Sequence, residues 1–297
     1  MSFSWSEFLP TLVHIQAHLD EDLSLESLSG RMGVSPTYFH KSFKAVIGET
    51  PKAHVERLRL ERAAFRILVQ DESLINIALD HGFAAPETFS RAFRRRFGMA
   101  PSEYRAWMRR QNAEAAGRLV HECADFSISN VKVRRLAPAH LAFIRHVGPY
   151  EAVPDTLFST LERWARTQRI PGARVWMGLG HDAPGATAPD KLRFDAALVV
   201  PSPFESSEVA TYQHFPGGEF AIVTHAGAFS TLSQAYAAIF PRVTALPEHD
   251  LVGLPAVEIY QSARVISAQQ INVTDICLPV QRRASVRRTR AGGELEE

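Results

Sequence analysis

The sequence predicts a multidomain chain: an all-α N-terminal domain with two helix-turn-helix motifs joined by a long helix, then an α+β domain of two pseudo-symmetric β-α-β-β halves. Three observations predict it. A pattern running from Pro36 to Pro51 recurs 50 positions later, and a second pattern starting at Ala142 recurs 79 to 80 positions later. Between the two, the hydropathy period changes from helical to alternating. Length agrees, because 297 residues with 45% hydrophobic content allow two domains, each with its own core. The formal charge of +1 excludes a globally basic chain, so any charge signal must be local.

The first motif is built on "SLESLSGRMGVSPTYFHKSFKAVIGETP". Leu25, Leu28 and Met32 make one short amphipathic helix ahead of a glycine turn at Gly33. Pro36 then opens a second helix over about 35 to 46, with Phe39 and Phe43 on one face and Gly48 as its stop. Thr50 is placed to cap a long connecting helix with Pro51 at its first position. The second motif repeats the plan with Leu74, Ile77 and Ala78, the turn glycine Gly82, and a helix over 86 to 97. On that helix Phe89, Phe93 and Phe97 form one stripe, while Glu87, Arg91, Arg94 and Arg95 lie opposite and Arg96 snorkels beside the stripe. Thr37, Lys41 and Lys44 occupy the matching polar face in the first copy. A lone charged helix face is most simply a solvated surface; two copies sharing turn glycine, first-turn proline and polar face point to DNA.

These residues resemble the DNA-binding domain of AraC/XylS-type transcription regulators. The resemblance covers roughly residues 5 to 110 and rests on Gly82, Phe83, Phe89, Ser90, Arg91, Phe93, Phe97, Gly98, Pro101, Tyr104 and Arg105. Thr88 stands where the family usually has an aromatic, and Ala100 where it has Ser or Thr before the proline. The resemblance implies that both second helices enter successive major-groove segments on one face of double-stranded DNA. By matched position, Thr37, His40 and Lys41 read bases for the first helix and Glu87, Thr88 and Arg91 for the second. Lys44, Arg94 and Arg95 are assigned to phosphates.

Periodicity weakens over residues 112 to 127, expected to be a linker between a DNA-binding domain at 1–111 and a second domain at 128–282. There "NVKVRRLAPAHLAFIRHVGPY" alternates as strands do, "DTLFSTLERWARTQRI" has helical spacing, and "RVWMGLGH" and "LRFDAALVVP" return to strand character. "AFIRHVGPY" matches "AIVTHAGAF" and "FDAALVVP" matches "TDICLPV", so two half-domains should meet in a cleft. A helix containing Tyr236, Ile239 and Phe240 stands where the first half's helix should recur.

This half resembles the gyrase-inhibitor-like (GyrI-like) small-molecule-binding domain through "HVGPY", "KLRFDAALVVP", "PGGEFAIVTHAG", "PAVEIY" and "TDICLPV". An AraC-type reader followed by such a domain is the order seen in Rob-like regulators. The resemblance implies a small cationic or amphipathic effector held by Glu258, with Tyr150, Trp176, Phe229 and Tyr260 lining the cleft. Two rival readings stay open: the domain hydrolyses an electrophilic compound, with Glu258 and a tyrosine activating water, or it binds another protein and its cleft is vestigial.

The remaining signals are weak. His14 and His18 have helical metal spacing without a third ligand. No dinucleotide, phosphate-loop or nucleophile-elbow motif occurs, so neither an enzyme nor a cofactor or metal is expected. His146 and His225 recur with the repeat and suit turn hydrogen bonds. Residues 283–297 are expected to be a disordered tail. Cys123 and Cys277 form no disulfide framework, "MSFSWSEFLP" carries no basic leader, and no apolar run is membrane-length. A cytoplasmic regulator with DNA, an effector and RNA polymerase as partners, and no membrane, is the expectation.

Overall fold

Side-chain caps set the starts of the first five helices in the computed structural model, which describes residues 3–119, 126–253, 255–261 and 272–283. Helix α1 (Trp5–Ala17) starts with a capping box: Ser4 Oγ accepts from Glu7 N, and the Glu7 carboxylate accepts from Ser4 N at 2.7 Å. Ser24, Ser35, Thr50 and Ser73 cap α2 (Leu25–Arg31), α3 (Pro36–Ile47), α4 (Pro51–Val69) and α5 (Leu74–Asp80) through their hydroxyls. α6 (Pro86–Phe97) and α7 (Pro101–Leu119) complete the helical half. Gly48 and Gly98 end α3 and α6 with φ of 85° and 75°, which a side chain would strain.

The two copies differ at one cap. Ser35 bonds the first turn of α3, whereas Ala85, 50 positions on, offers α6 no side-chain bond. Ala85→Ser is therefore expected to raise stability by about 1 kcal/mol, read as an increased urea midpoint at unchanged slope. The missing Ser or Thr at Ala100 is partly compensated, because the Glu103 carboxylate accepts from Ala100 N at 2.7 Å.

The C-terminal half comprises β1 (Phe126–Ile128), β2 (Lys132–Leu136), β3 (Ala139–Val147), α8 (Thr156–Thr167), β4 (Trp176–Gly180), β5 (Arg193–Val200), β6 (Thr211–Phe215), β7 (Gly218–Gly227), α9 (Leu232–Thr244), β8 (His249–Leu251), β9 (Ala256–Tyr260) and β10 (Asn272–Arg282). The strands form one sheet in the order β1-β7-β10-β9-β4-β5-β3-β6, with β2 on β7 and β8 on β10. Outward from the central β9–β4 pair, β9-β10-β7 mirrors β4-β5-β3, which is the pseudo-symmetry of the repeat. In the register Gly178 faces Glu258, and these two positions are also 80 apart in sequence. The pseudo-two-fold therefore passes through that pair, and Glu258 stands at the centre of the sheet.

The halves are also interlaced. β2 precedes β3 yet pairs with β7, and β6 precedes β7 yet pairs with β3. Where the two crossovers meet, Gly217 has a φ of 67°, and a Cβ there would lie 2.4 Å from the Leu136 carbonyl oxygen. Only glycine fits that crossing.

Alternation divides the sheet. On one face Ala142 and Leu198 meet Leu161 and Ala165 of α8, while Ala221, Val223 and Ile276 meet Ala235, Ile239 and Val243 of α9. On the other face Leu141, Phe143, Met177, Leu179, Val257 and Cys277 share a core with Phe8, Leu9, Leu12 and Ile15 of α1. Separate cores are thus corrected: the first helix spans the junction. Arg96 also departs from expectation, since it donates to Glu61 on α4 at 2.8 Å instead of reaching into water.

Candidate DNA-reading face and effector cavity

The phenylalanine stripe and the cations separate cleanly on α3 and α6. Phe39, Phe43, Phe89 and Phe93 are all at most 1% exposed and hold the helices to their scaffold. Outward stand Thr37, Lys41 and Lys44 on α3, and Glu87, Thr88, Arg91, Arg94 and Arg95 on α6, all exposed, with His40 half-buried. Arg95 pairs with Glu56 of α4 but keeps 70% of its side chain in solvent. Neither polar face is covered by the second domain, as phosphate contact requires.

Beneath these helices a buried polar network fixes α4. Glu49 accepts from Arg57 Nη2 at 2.7 Å and contacts His54 Nδ1 at 2.8 Å, while Arg57 and Arg96 both donate to Glu61. Burial alone would raise the Glu49 carboxyl, but the His54 and Arg57 hydrogen bonds outweigh it and bring it down to about 2. Burial brings both His54 and His81 down to about 4. At pH 5 the unfolded chain protonates these imidazoles and the folded chain does not. Their contribution is therefore full above about pH 6.5 and is lost as pH falls towards 4. The urea midpoint is expected to drop steadily across that interval, and a flat profile would contradict neutral burial of both rings.

The cavity lies between α9, α4, the segment that leads into α8 and the end of the sheet, with a volume of about 840 Å³. That is within the range of drug-sized ligand sites. Glu258 of β9 lines it and is 8% exposed. Its carboxylate accepts from Tyr260 Oη at 2.6 Å and from Tyr236 Oη at 3.2 Å. Gly178 makes room for this arrangement, because a Cβ there would lie 2.6 Å from Tyr260 Oη and from Phe194 Cζ. Burial, and then the Glu258 charge, push the Tyr236 phenol well above its ordinary value, so it stays a donor.

Of the other sequence-assigned residues, Tyr150, Phe229 and Tyr260 line the cavity. Tyr150 Oη donates to the Asp182 carbonyl at 2.8 Å, and Phe229 meets Tyr260 edge-on at 5.7 Å. Trp176 is corrected: it is outside the cavity wall, edge-on to Phe158 at 5.9 Å, among the residues packed beneath α8. It belongs to the same face as Glu258, but two residues along β4, where α8 covers the sheet. Sequence periodicity marks Tyr236 and Phe194 only as helix and strand residues; their direction into the cavity follows from pairing partners far away in sequence. The helix α4 wall, with Arg62, Phe65 and Leu68, had no sequence signal at all.

The second domain is tied to α1 by a further buried network. Asp195, fully buried, accepts from Arg145 Nε and Nη2 at 2.7 Å, from His181 Nε2 at 2.6 Å and from Gln213 Nε2 at 3.1 Å. Gln16 of α1 bonds His181 Nδ1 through its amide nitrogen and accepts from Arg193 Nη1 at 3.0 Å. Burial holds His181 neutral, below the ordinary imidazole range. His146 and His225 make the expected turn bonds, to Pro149 O and Thr231 Oγ1. His14 and His18 stack at 4.2 Å, and among the described residues no group of three metal-ligating side chains forms. No described helix is long and apolar enough to cross a membrane. Part of the 112–127 linker region and residues 284–297 of the tail lie outside the described residues.

Comparison with known proteins matches residues 28–107 to the helix-turn-helix domain family and residues 129–281 to the GyrI-like small molecule binding domain family. The regulatory protein SoxS of Salmonella typhimurium is 32% identical over 103 residues, covering 34% of this chain and 96% of that protein. The right origin-binding protein of Escherichia coli is 32% identical over 94 residues, and the match spans about a third of each chain. A transcriptional regulator with an AraC-type DNA-binding domain from Chromobacterium violaceum is 28% identical over 34% of this chain and 91% of its own, with a TM-score of 0.33. The chain thus belongs to the AraC-type transcription regulators, with a helix-turn-helix DNA-binding domain followed by a GyrI-like small molecule binding domain.

Proposed function

We propose that residues 1–111 read promoter DNA and residues 128–282 sense a small cationic or amphipathic effector, joined through residues 112–127. In this reading α3 and α6 occupy successive major-groove segments. Thr37, His40 and Lys41, then Glu87, Thr88 and Arg91, face base edges, while Lys44, Arg94 and Arg95 neutralise phosphates. Such a regulator works in the cytoplasm and meets RNA polymerase at the promoter. The observation that carries the sensing half is Glu258, a buried carboxylate at the pseudo-two-fold with two phenol donors and an aromatic wall. A ligand cation brought there gains Coulomb attraction and ring-face contact in a desolvated setting.

Calorimetric titration with tetraphenylphosphonium tests it. Glu258→Gln keeps shape and loses charge, and is expected to weaken binding about tenfold or more; equal affinity overturns the reading. The open cavity favours a ligand site over a vestigial cleft in a protein-binding module. A hydrolase would need a base free to receive a water, and Glu258 already accepts from both phenols, which leaves it fewer lone pairs for one. Turnover of an electrophilic compound that is abolished in Glu258→Gln would reverse that preference.

A further inference from the structure

The cavity has two walls of different origin and different charge. The sheet-side wall carries Glu258, with Glu151 and Asp155 exposed at the rim. A second wall is α4, which contributes Leu58, Arg62, Phe65 and Leu68. Other ionisable groups along the lining are already matched. Glu61 receives Arg57 and Arg96, Asp182 receives Arg193 at 2.6 and 2.9 Å, and His181 is neutral.

Arg62 differs from these. Its Nη2 donates to the Gln16 carbonyl at 2.7 Å, and Asp20 and Asp182 act on it only at a distance. Burial first, and the nearby Arg193 charge second, bring its pKa down to about 10, so the guanidinium remains charged in a setting that disfavours the charge. A guanidinium has five N–H donors in a planar fork, suited to a two-oxygen acceptor. An anionic group arriving in the cavity would supply both the missing acceptors and the missing countercharge.

We propose that the effector is a dipolar amphiphile whose cationic end meets Glu258 and whose anionic oxygen group, such as a carboxylate, is received by Arg62. The apolar middle lies along Phe65, Leu68 and Phe240, where Phe65 and Phe240 already meet edge-on at 6.4 Å across the domain junction. Helix α4 is then part of the effector site. It also separates α3 from α6, so the ligand bonds directly to the helix that spaces the two reading elements, the differential contact that ligand control of DNA binding requires.

This inference rests on the reading of Glu258 above, and the test separates the two. The full chain is titrated with ω-trimethylammonium carboxylates of graded chain length and with alkyltrimethylammonium ions of the same lengths. At the matching length the carboxylate is expected to tighten binding about tenfold over its partner. Arg62→Met is expected to erase that advantage, Arg62→Lys to keep part of it, and Glu258→Gln to weaken both series. An advantage absent at every length, or surviving in Arg62→Met, overturns the dipolar assignment and leaves the cation site standing. Failure of both series to bind, or indifference of the alkyltrimethylammonium ions to Glu258→Gln, overturns both.

Discussion

Replacing Asp195 with alanine is expected to lower stability by about 3–5 kcal/mol, because it leaves a buried guanidinium without its countercharge. Arg145 is 9% exposed and sends two hydrogen bonds to this carboxylate. His181 and Gln213 lose their acceptor in the same substitution. The Asp195 carboxyl is held below its ordinary range: burial opposes ionisation, and Arg145 and His181 overcome it. A folded-state pKa below the unfolded one contributes stability that is complete above about pH 4 and fades only in stronger acid. Urea denaturation at neutral pH reads the loss. The paired substitution Asp195→Leu with Arg145→Met should recover much of it, since neither charge is then stranded. A single-variant loss below about 1 kcal/mol would mean that the ion pair is hydrated and that Arg145 keeps its water.

Arg91→Ala is expected to cost about 1–3 kcal/mol of affinity for the chain's own operator, roughly 5- to 150-fold, with little change on unrelated DNA. Lys44→Ala should weaken operator and unrelated DNA alike and flatten the salt dependence, because a phosphate contact carries no sequence information. Titrations at several fixed salt concentrations distinguish these outcomes. Equal loss on both DNAs for Arg91→Ala would move it into the phosphate-binding set. The two side chains are both exposed on the outward faces of their helices, so neither substitution disturbs a core.

The helical half was legible because its determinants are local. Ser35, Pro36, Thr50, Pro51 and Pro86 act within one turn of where they stand, and Gly48 and Gly98 set their own dihedral angles. The aromatic stripe reports which side of α3 and α6 is glued down, whatever it is glued to. The repeat in the second half was legible for a related reason. Equivalent strands fill equivalent environments, so spacing survives as the 80-residue offset that places Gly178 opposite Glu258.

Trp176 shows where such reading stops. Period-two alternation places it on the same face as Glu258, but which part of that face α8 covers depends on helix position, not on strand pattern. Periodicity likewise gives Arg96 a side of its helix and Tyr236 only a helix, while their partners Glu61 and Glu258 lie 35 and 22 residues away. The interlacing of β2 and β6 is a choice between partners that alternation leaves equivalent.

Local start and stop signals and periodicity alone therefore determined two helices with an aromatic stripe and outward cations, and a doubled β-α-β-β unit, while Glu258 was marked only through the family resemblance. Tertiary structure decided that α1 completes the core behind the sheet and that α4 walls the cavity. The physical reason is that capping and alternation act over a few residues and leave their mark in sequence order. Burial across a domain junction depends instead on the fit between surfaces that no single stretch of chain contains.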